Sequence, residues 1–151
     1  MPYSAERYHD ISCGHRVVGH ESKCRWMHGH NYRFHFKCEA AEGLDELGRV
    51  IDFGDIKKFL CQWLEDNWDH KFLIWANDPI QDMIHTAASA MLTDYGDVVG
   101  SFVTVPFNPT AENLAIHMVE VVGPEVLPEG IVLVECRIEE TRKCSATAWV
   151  S

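Results

Sequence analysis

The sequence predicts an α+β fold built on an antiparallel sheet, and three observations carry that prediction. Across residues 28–40, Tyr32, Phe34, Phe36 and Cys38 share one parity while Asn31, Arg33, His35, Lys37 and Glu39 share the other. This period of two marks a strand with one buried and one wet face. Residues 53–68 and 79–95 instead space their apolar positions at helical intervals. Strand-like and helix-like segments then follow one another without a regular β–α–β alternation, which argues against a wholly parallel sheet.

In chain order, Tyr3 to Val17 mixes aromatic, small and polar residues and is expected as the first strand. The alternating segment from His28 to Ala40 is the second, and Gly43 to Gly48 is a loop. Asp52 is suited to cap a helix whose inward positions are Ile56, Phe59, Leu60, Trp63 and Leu64. A second helix, Pro79 to Tyr95, carries the stripe Ile80, Met83, Ile84, Ala87, Ala88, Met91 and Leu92. Val98 to Val105 follows as a strand. Thr110 caps a third helix with Ala115, Met118, Val119 and Val122 inward, and Gly123, Pro124, Pro128 and Gly130 end it. Ile131 to Glu140 is expected as a strand with Val132, Val134, Cys136 and Ile138 on one face, and 144–150 as its hairpin partner.

Length and charge bound the function. The 151 residues give room for one domain, 1–151, with a core that needs no disulfides. The composition, 46% hydrophobic and 24% charged, excludes a disordered chain. Thirteen Lys and Arg against 23 Asp and Glu leave a net charge of −10. That balance disfavours general nucleic-acid binding and anionic membrane surfaces, and no segment approaches the ~20 apolar residues of a membrane span. The N-terminus has no basic stretch leading into an apolar one, and the six cysteines form no CxxC pair, so reduced thiols in a cytoplasmic protein are expected.

The chemistry concentrates in the histidines, five of nine lying between His15 and His35. In the run Cys24-Arg25-Trp26-Met27-His28-Gly29-His30, the two imidazoles are two residues apart on a strand. They therefore share a face, the one that Tyr32 and Phe34 bury. Two neutral imidazoles suit a divalent metal, and a catalytic zinc takes three protein ligands and one open position. His15, at the end of the first strand, is the leading third ligand and His20 its competitor. Cys24 lies between Lys23 and Arg25, cations that favour a thiolate, and it is alternatively a fourth ligand. Asp69-His70 follows the first helix; a carboxylate can orient an imidazole for proton transfer, provided a bend lets the two face each other. The alternative is a helix C-terminus at which His70 and Lys71 complement the macrodipole. Glu112 sits in the first turn of the third helix, where a carboxylate is favoured in any case. Glu140 continues the parity of Cys136 and Ile138, so in a regular strand its carboxylate faces inward and needs a partner.

Six motifs in one order resemble the 6-pyruvoyl-tetrahydropterin synthase and 6-carboxy-tetrahydropterin synthase family. They are Gly14-His15-Arg16, Cys24 through Tyr32, Val50-Ile51-Asp52-Phe53, Asp69-His70-Lys71, Asn108-Pro109-Thr110-Ala111-Glu112-Asn113 and Glu140-Thr141, spread over nearly the whole chain. The resemblance implies the tunnelling fold, an antiparallel sheet with helices packed on one face. It also implies oligomeric barrels, usually hexamers, with active sites between subunits. It implies zinc on His15, His28 and His30, and Cys24 as general base. Asp69 would orient His70 as a second acid/base group from another subunit. Glu140 would anchor a pterin, with Thr110 and Glu112 lining its pocket. The substrate would be 7,8-dihydroneopterin triphosphate, a polyanion that must meet a local basic patch; Lys23, Arg25, Lys71, Arg142 and Lys143 are the candidates.

The spacing Cys24-x-x-x-His28-Gly29-His30 looks like the bacterial 6-carboxy-tetrahydropterin synthase of queuosine (7-deazaguanine) biosynthesis, a zinc-dependent lyase. The pyruvoyl enzymes, or a non-catalytic zinc- or pterin-binding homologue, are the alternatives. Three features depart from the family pattern: the approach Ile11-Ser12-Cys13-Gly14 to His15, Trp68 before Asp69, and an inserted helix and strand around 78–105.

Overall fold

The computed structural model describes residues 2–90 and 100–151. Six strands form one sheet: β1 Ala5–His15, β2 His28–Ala40, β3 Phe72–Trp75, β4 Phe102–Val105, β5 Ile131–Thr141 and β6 Cys144–Trp149, in the order β4-β3-β1-β2-β5-β6. β1, β2, β5 and β6 pair antiparallel, as expected. At the other edge β3 runs parallel to β1, and β4 parallel to β3. The sheet is therefore mixed rather than purely antiparallel. The sequence reading passed over β3, a run of only four apolar residues. Its parallel pairing to β4 becomes possible because a crossover containing a helix separates them.

The long β1–β2 ladder positions everything that follows. Its register runs from Ala5 opposite Cys38 to His15 opposite His28. Alternation sends Ile11, Cys13, Tyr32, Phe34, Phe36 and Cys38 to one face, where all are buried. Burying each aromatic ring contributes about 2–3 kcal/mol.

Helices cover that face. One continuous helix consists of α1 Phe53–Ile56, a π-helical turn Lys57–Cys61 and α2 Gln62–Asn67. Asp52 caps it, accepting the Gly54 N–H. Ile56, Leu60, Cys61 and Leu64 point into the core, with Trp68 just beyond the end. The other helix is α4 Ala111–His117, continued by a π turn Met118–Val122 and α5 Gly123–Val126. Thr110 caps it, its Oγ1 accepting the Asn113 N–H at 3.1 Å. Ala115, Met118, Val119 and Val122 are all buried, as their spacing predicts.

Three expectations need correction. In the first helix Phe59 is only half-buried and lies outside the core, while Cys61, at the end of the π turn, is buried instead. In α3 Ile80–Ala90, Ile80, Ile84 and Ala87 are half-buried but Met83 is 73% exposed and faces solvent. Of the remainder of that expected stripe, the Ala88 side chain is not described, and Met91, Leu92, the extension to Tyr95 and the first residues of the strand expected from Val98 lie outside the described residues. On β5 the buried residues are Leu133, Cys136 and Ile138, not Val132 and Val134. Lys37 pairs with Glu135 but Cys38 with Leu133, leaving Val134 as the extra residue of a β-bulge. One inserted residue reverses which face each side chain takes on the far side of it. Among the described residues no helix is long and apolar enough to cross a membrane.

Candidate metal centre and active site

The ladder brings three histidines together at one end of the sheet. His15 ends β1 directly opposite His28, and His30 lies two residues further along β2 on the same face. One donor nitrogen from each lies within 4.8 Å of the others. The His15 and His28 Nε2 atoms are 3.0 Å apart. Backbone carbonyls orient both rings: His15 Nδ1 donates to the Pro109 oxygen and His28 Nδ1 to the Trp26 oxygen, each at 2.6 Å. With the hydrogen on Nδ1, the Nε2 of a neutral ring carries only a lone pair. Two lone pairs therefore face each other across 3.0 Å, and a cation between them removes the repulsion.

His30 adds a third observation. Its Nε2 is buried and makes no hydrogen bond. Burial lowers its pKa, opposed by Glu140 and reinforced by His15 and His28. Neutral imidazoles with outward-bonded Nδ1 atoms and converging lone pairs are the donor set zinc takes, and tetrahedral Zn–N bonds place ligand nitrogens about 3.3 Å apart. The residues fit the metal.

Glu140 reaches the same spot from β5. Its Oε1 lies 3.3 Å from the Nε2 atoms of both His15 and His30. The inward direction read from Cys136 and Ile138 is thus the observed one. The His15 imidazole beside it holds the Glu140 carboxyl below its ordinary range. Glu140 also lines a hollow of about 410 Å³ together with Ala111, Glu112 and Cys144 to Thr147. The carboxylate thus stands between the histidines and a cavity whose far wall is the first turn of α4. Thr110 does not line this hollow; its side chain caps the helix that presents Glu112. Arg142 and Lys143 are exposed in the turn at its rim.

The floor of the cluster is Tyr32, fully buried, whose hydroxyl lies 3.2 Å from His15 Nε2. Burial pushes the Tyr32 hydroxyl far above its ordinary pKa, so it stays protonated.

Cys24 sits half-buried at the centre of the short 3₁₀ turn Lys23–Arg25 between β1 and β2. Among the described residues the metal-capable group is His15, His28 and His30, without Cys24. Of the two cations beside it in sequence, Arg25 donates to the Glu21 and Ser22 carbonyls and stacks on Trp26. His20 is likewise outside the cluster, its Nδ1 accepting the Ser22 N–H.

Asp69 and His70 meet each other but not the histidine trio. His70 has φ of 59°, the left-handed conformation that few non-glycine residues adopt. That bend folds its Nδ1 back to 2.8 Å from Asp69 Oδ2. Asp69 is fixed in turn, Oδ1 accepting the Ser12 N–H at 3.0 Å. Burial raises the Asp69 pKa, but the Ser12 N–H and His70 outweigh it and the net shift is downward, so the carboxylate stays charged. The His70 ring is 80% exposed. It lines an open hollow of about 480 Å³ with Ser12, His30, Asn31, Lys71 and Phe72. Ser12 and Asn31 lie across from each other on the face of the β1–β2 ladder opposite the buried one, their side chains hydrogen-bonded at 2.6 Å. Gly14 is required here, since a Cβ would come within 2.8 Å of the Phe72 ring.

Residues without an assigned role in the sequence reading hold this site. Asn108 clamps the loop after β1, accepting the Val18 N–H and donating to the Val18 oxygen. Pro109 supplies the carbonyl for His15. The motif Asn108-Pro109-Thr110 therefore fastens a loop, a ligand ring and a helix in three consecutive residues. Arg16 and Asp78 form a two-toothed ion pair next to His15. A buried carboxylate 62 residues from its partner leaves no local pattern in the sequence.

A family model described as 6-pyruvoyl tetrahydropterin synthase matches residues 5–150. The 6-carboxy-5,6,7,8-tetrahydropterin synthase of Rickettsia typhi is 32% identical over 137 residues, covering 89% of this chain and 91% of that protein. A probable 6-carboxy-5,6,7,8-tetrahydropterin synthase of Halobacterium salinarum is also 32% identical, over 90% of this chain and 79% of its own length. Among solved structures, an uncharacterized protein from Wolinella succinogenes superposes with a TM-score of 0.80 at 24% identity, covering 99% of this chain and 98% of that one. The 6-pyruvoyl tetrahydropterin synthase of Caenorhabditis elegans superposes at 0.65 and 24% identity, covering 99% and 96%. These structures share the fold.

Proposed function

The chain belongs to the 6-pyruvoyl tetrahydropterin synthase family, and from that premise we propose that it is a zinc-dependent lyase. The reaction is conversion of 7,8-dihydroneopterin triphosphate and one water to 6-carboxy-5,6,7,8-tetrahydropterin with release of acetaldehyde and triphosphate, a step of queuosine (7-deazaguanine) biosynthesis in the cytoplasm. The observation that carries the reading is the convergence of His15, His28, His30 and Glu140 at the mouth of a hollow lined by Glu112. The carboxy branch is favoured by the relatives that share about a third of their residues with this chain over most of its length.

His15, His28 and His30 would hold the zinc, which when bound supplies Lewis acidity toward the hydroxyls of the substrate side chain. The chain's own residues do the rest. Glu140, charged and inward-facing, accepts hydrogen bonds from the amino and ring N–H groups of the pterin. Glu112 borders the same hollow, and Thr110 fixes the helix that carries it. Cys24 serves as the base that takes a side-chain proton. Asp69 keeps the His70 ring oriented with Nδ1 toward the carboxylate, so that Nε2 gives and takes the second proton. Because the His70 ring opens from the other face of the sheet, it serves the metal centre of a neighbouring subunit in a homo-oligomer, a hexamer in the family's usual form. Arg142 and Lys143 at the rim, and Lys71 beside His70, meet the triphosphate.

A product assay tests this reading. Zinc-loaded protein is incubated with 7,8-dihydroneopterin triphosphate and the pterin identified by mass spectrometry. A carboxy-tetrahydropterin with acetaldehyde supports the proposal. A pyruvoyl-tetrahydropterin moves the chain to the other branch, and unchanged substrate with zinc bound overturns the catalytic reading.

A further inference from the structure

Two polar side chains are fully buried among the described residues, and a single residue links them. They are His15 and Asp78, 1% and 3% exposed. Arg16, next after His15, donates through Nε to Asp78 Oδ2 at 2.7 Å and through Nη2 to Oδ1 at 2.6 Å. A buried carboxylate is tolerated when its oxygens are this fully satisfied, and the planar guanidinium fixes the pair in one orientation. The remaining nitrogen, Nη1, donates to the Arg25 carbonyl at 3.3 Å. Arg25 closes the 3₁₀ turn that has Cys24 at its centre. Val17 adds a second tie, its N–H donating to the Cys24 oxygen at 2.8 Å. At its other end Asp78 accepts the Ile80 N–H through Oδ1 and so starts α3. One ion pair therefore joins the strand end that carries His15, the turn that carries Cys24 and the origin of the helix inserted after β3.

We propose that Arg16, locked by Asp78, is a positioning residue that sets the Cys24 turn against the His15 end of β1. The placement of the Cys24 thiol then depends on Asp78, a residue that itself contributes no group to the chemistry. The catalytic consequence rests on the reading of Cys24 as the base, whereas the placement of the thiol does not.

The test uses the zinc-loaded full chain and two variants, Asp78→Asn and Arg16→Lys. Asp78→Asn keeps the acceptor for Ile80 while losing the charge. Arg16→Lys keeps the charge while losing the fork. Three readouts are taken: zinc per chain, kcat and KM on the pterin triphosphate, and the rate of Cys24 alkylation by iodoacetamide followed on its own peptide by mass spectrometry. The expected result is zinc retained at the wild-type ratio, kcat lowered about 10- to 100-fold, and KM within about twofold. The Cys24 alkylation rate should change about threefold or more. Folded variants with wild-type alkylation rate and kcat overturn the proposal, as does a kcat loss that merely tracks lost zinc. Should Asp78→Asn fail to fold, Arg16→Lys alone decides by the same criteria. If the wild-type chain converts no substrate, the synthase reading fails and the alkylation rates decide the clamp.

Discussion

The two ends of the proposed chemistry are built in opposite ways. The histidine trio is enclosed: His15 is 1% exposed, and backbone carbonyls fix the His15 and His28 rings. The Asp69–His70 pair is open: the carboxylate is anchored to Ser12, but the imidazole is 80% exposed and stands on a strained backbone. A metal site works when dry and closed on three sides, and one chain can finish it alone. An acid/base group left in open water lacks the low-dielectric surroundings that make proton transfer efficient. Under the proposed function, the contrast assigns the metal half to one chain and asks a second chain to enclose the acid/base half.

The sharpest way to break the comparison is to remove a ring from the closed end. Structural zinc sites are worth about 10–16 kcal/mol over four ligands, so His28→Ala is expected to weaken zinc binding by about 100-fold or more. Competition with a chromophoric chelator measures this directly, and a variant that keeps wild-type affinity would remove His28 from the ligand set. The open end should respond differently. Asp69→Asn is expected to lower turnover about 100-fold with zinc content unchanged, because it unlocks a tautomer rather than a ligand. Zinc loss in Asp69→Asn would mean that the two regions are coupled within one chain.

A third test concerns stability against pH. Burial raises the Asp78 pKa, but the Arg16 guanidinium and the Ile80 N–H outweigh it, so the folded value lies below the ordinary carboxylate value. A depressed folded pKa contributes stability that is full above the unfolded pKa, near about 4, and is lost as pH falls through the folded one. Urea melts at descending pH should show wild type losing this contribution below about pH 4, while Asp78→Asn is weaker above that pH, flatter over the range and closest to wild type at its acid end. Equal slopes for the two would contradict the pairing. The smallest effect on stability is expected at His70 itself. His70→Gly relieves the left-handed backbone, a gain of about 1 kcal/mol, and should raise Tm by a few degrees while abolishing the dyad. A lower Tm would mean that the His70–Asp69 contact outweighs the strain.

Much of the site was legible because its elements are local. The parity of residues 28–40 placed His28, His30 and Tyr32 on one face, and the cross-strand partner His15 followed from a strand ending in histidine. The caps at Asp52 and Thr110 are short-range features and were read directly. Glu140 was read correctly for a narrower reason. The bulge at Val134 reversed the faces of Val132 and Val134 but lies before Cys136, and although the β5–β6 register shifts again at Glu140, its carboxylate still reaches His15 and His30. What stayed hidden was non-local or carried by the main chain. β3 is four residues long and is recognisable only beside β1 and β4. The carbonyls of Pro109 and Trp26 that orient two ligand rings belong to no side chain, so residue type says nothing of them. Arg16 and Asp78 are charged residues that in isolation read as surface. Only the fold reveals that one of them is buried.

The central claim, that one chain supplies the closed half and another the open half, is tested most directly by mixing. His28→Ala and His70→Ala are each inactive on this account, the first for want of zinc and the second for want of an acid/base group. The two are dissociated, mixed in equal amounts and reassembled. In a random homo-oligomer about a quarter of the interfaces then combine an intact trio with an intact dyad. Recovery of about a quarter of wild-type activity on 7,8-dihydroneopterin triphosphate is the expected result. A reassembled mixture as inactive as its parents, from a wild type that is itself active, would contradict it and return both halves to a single chain.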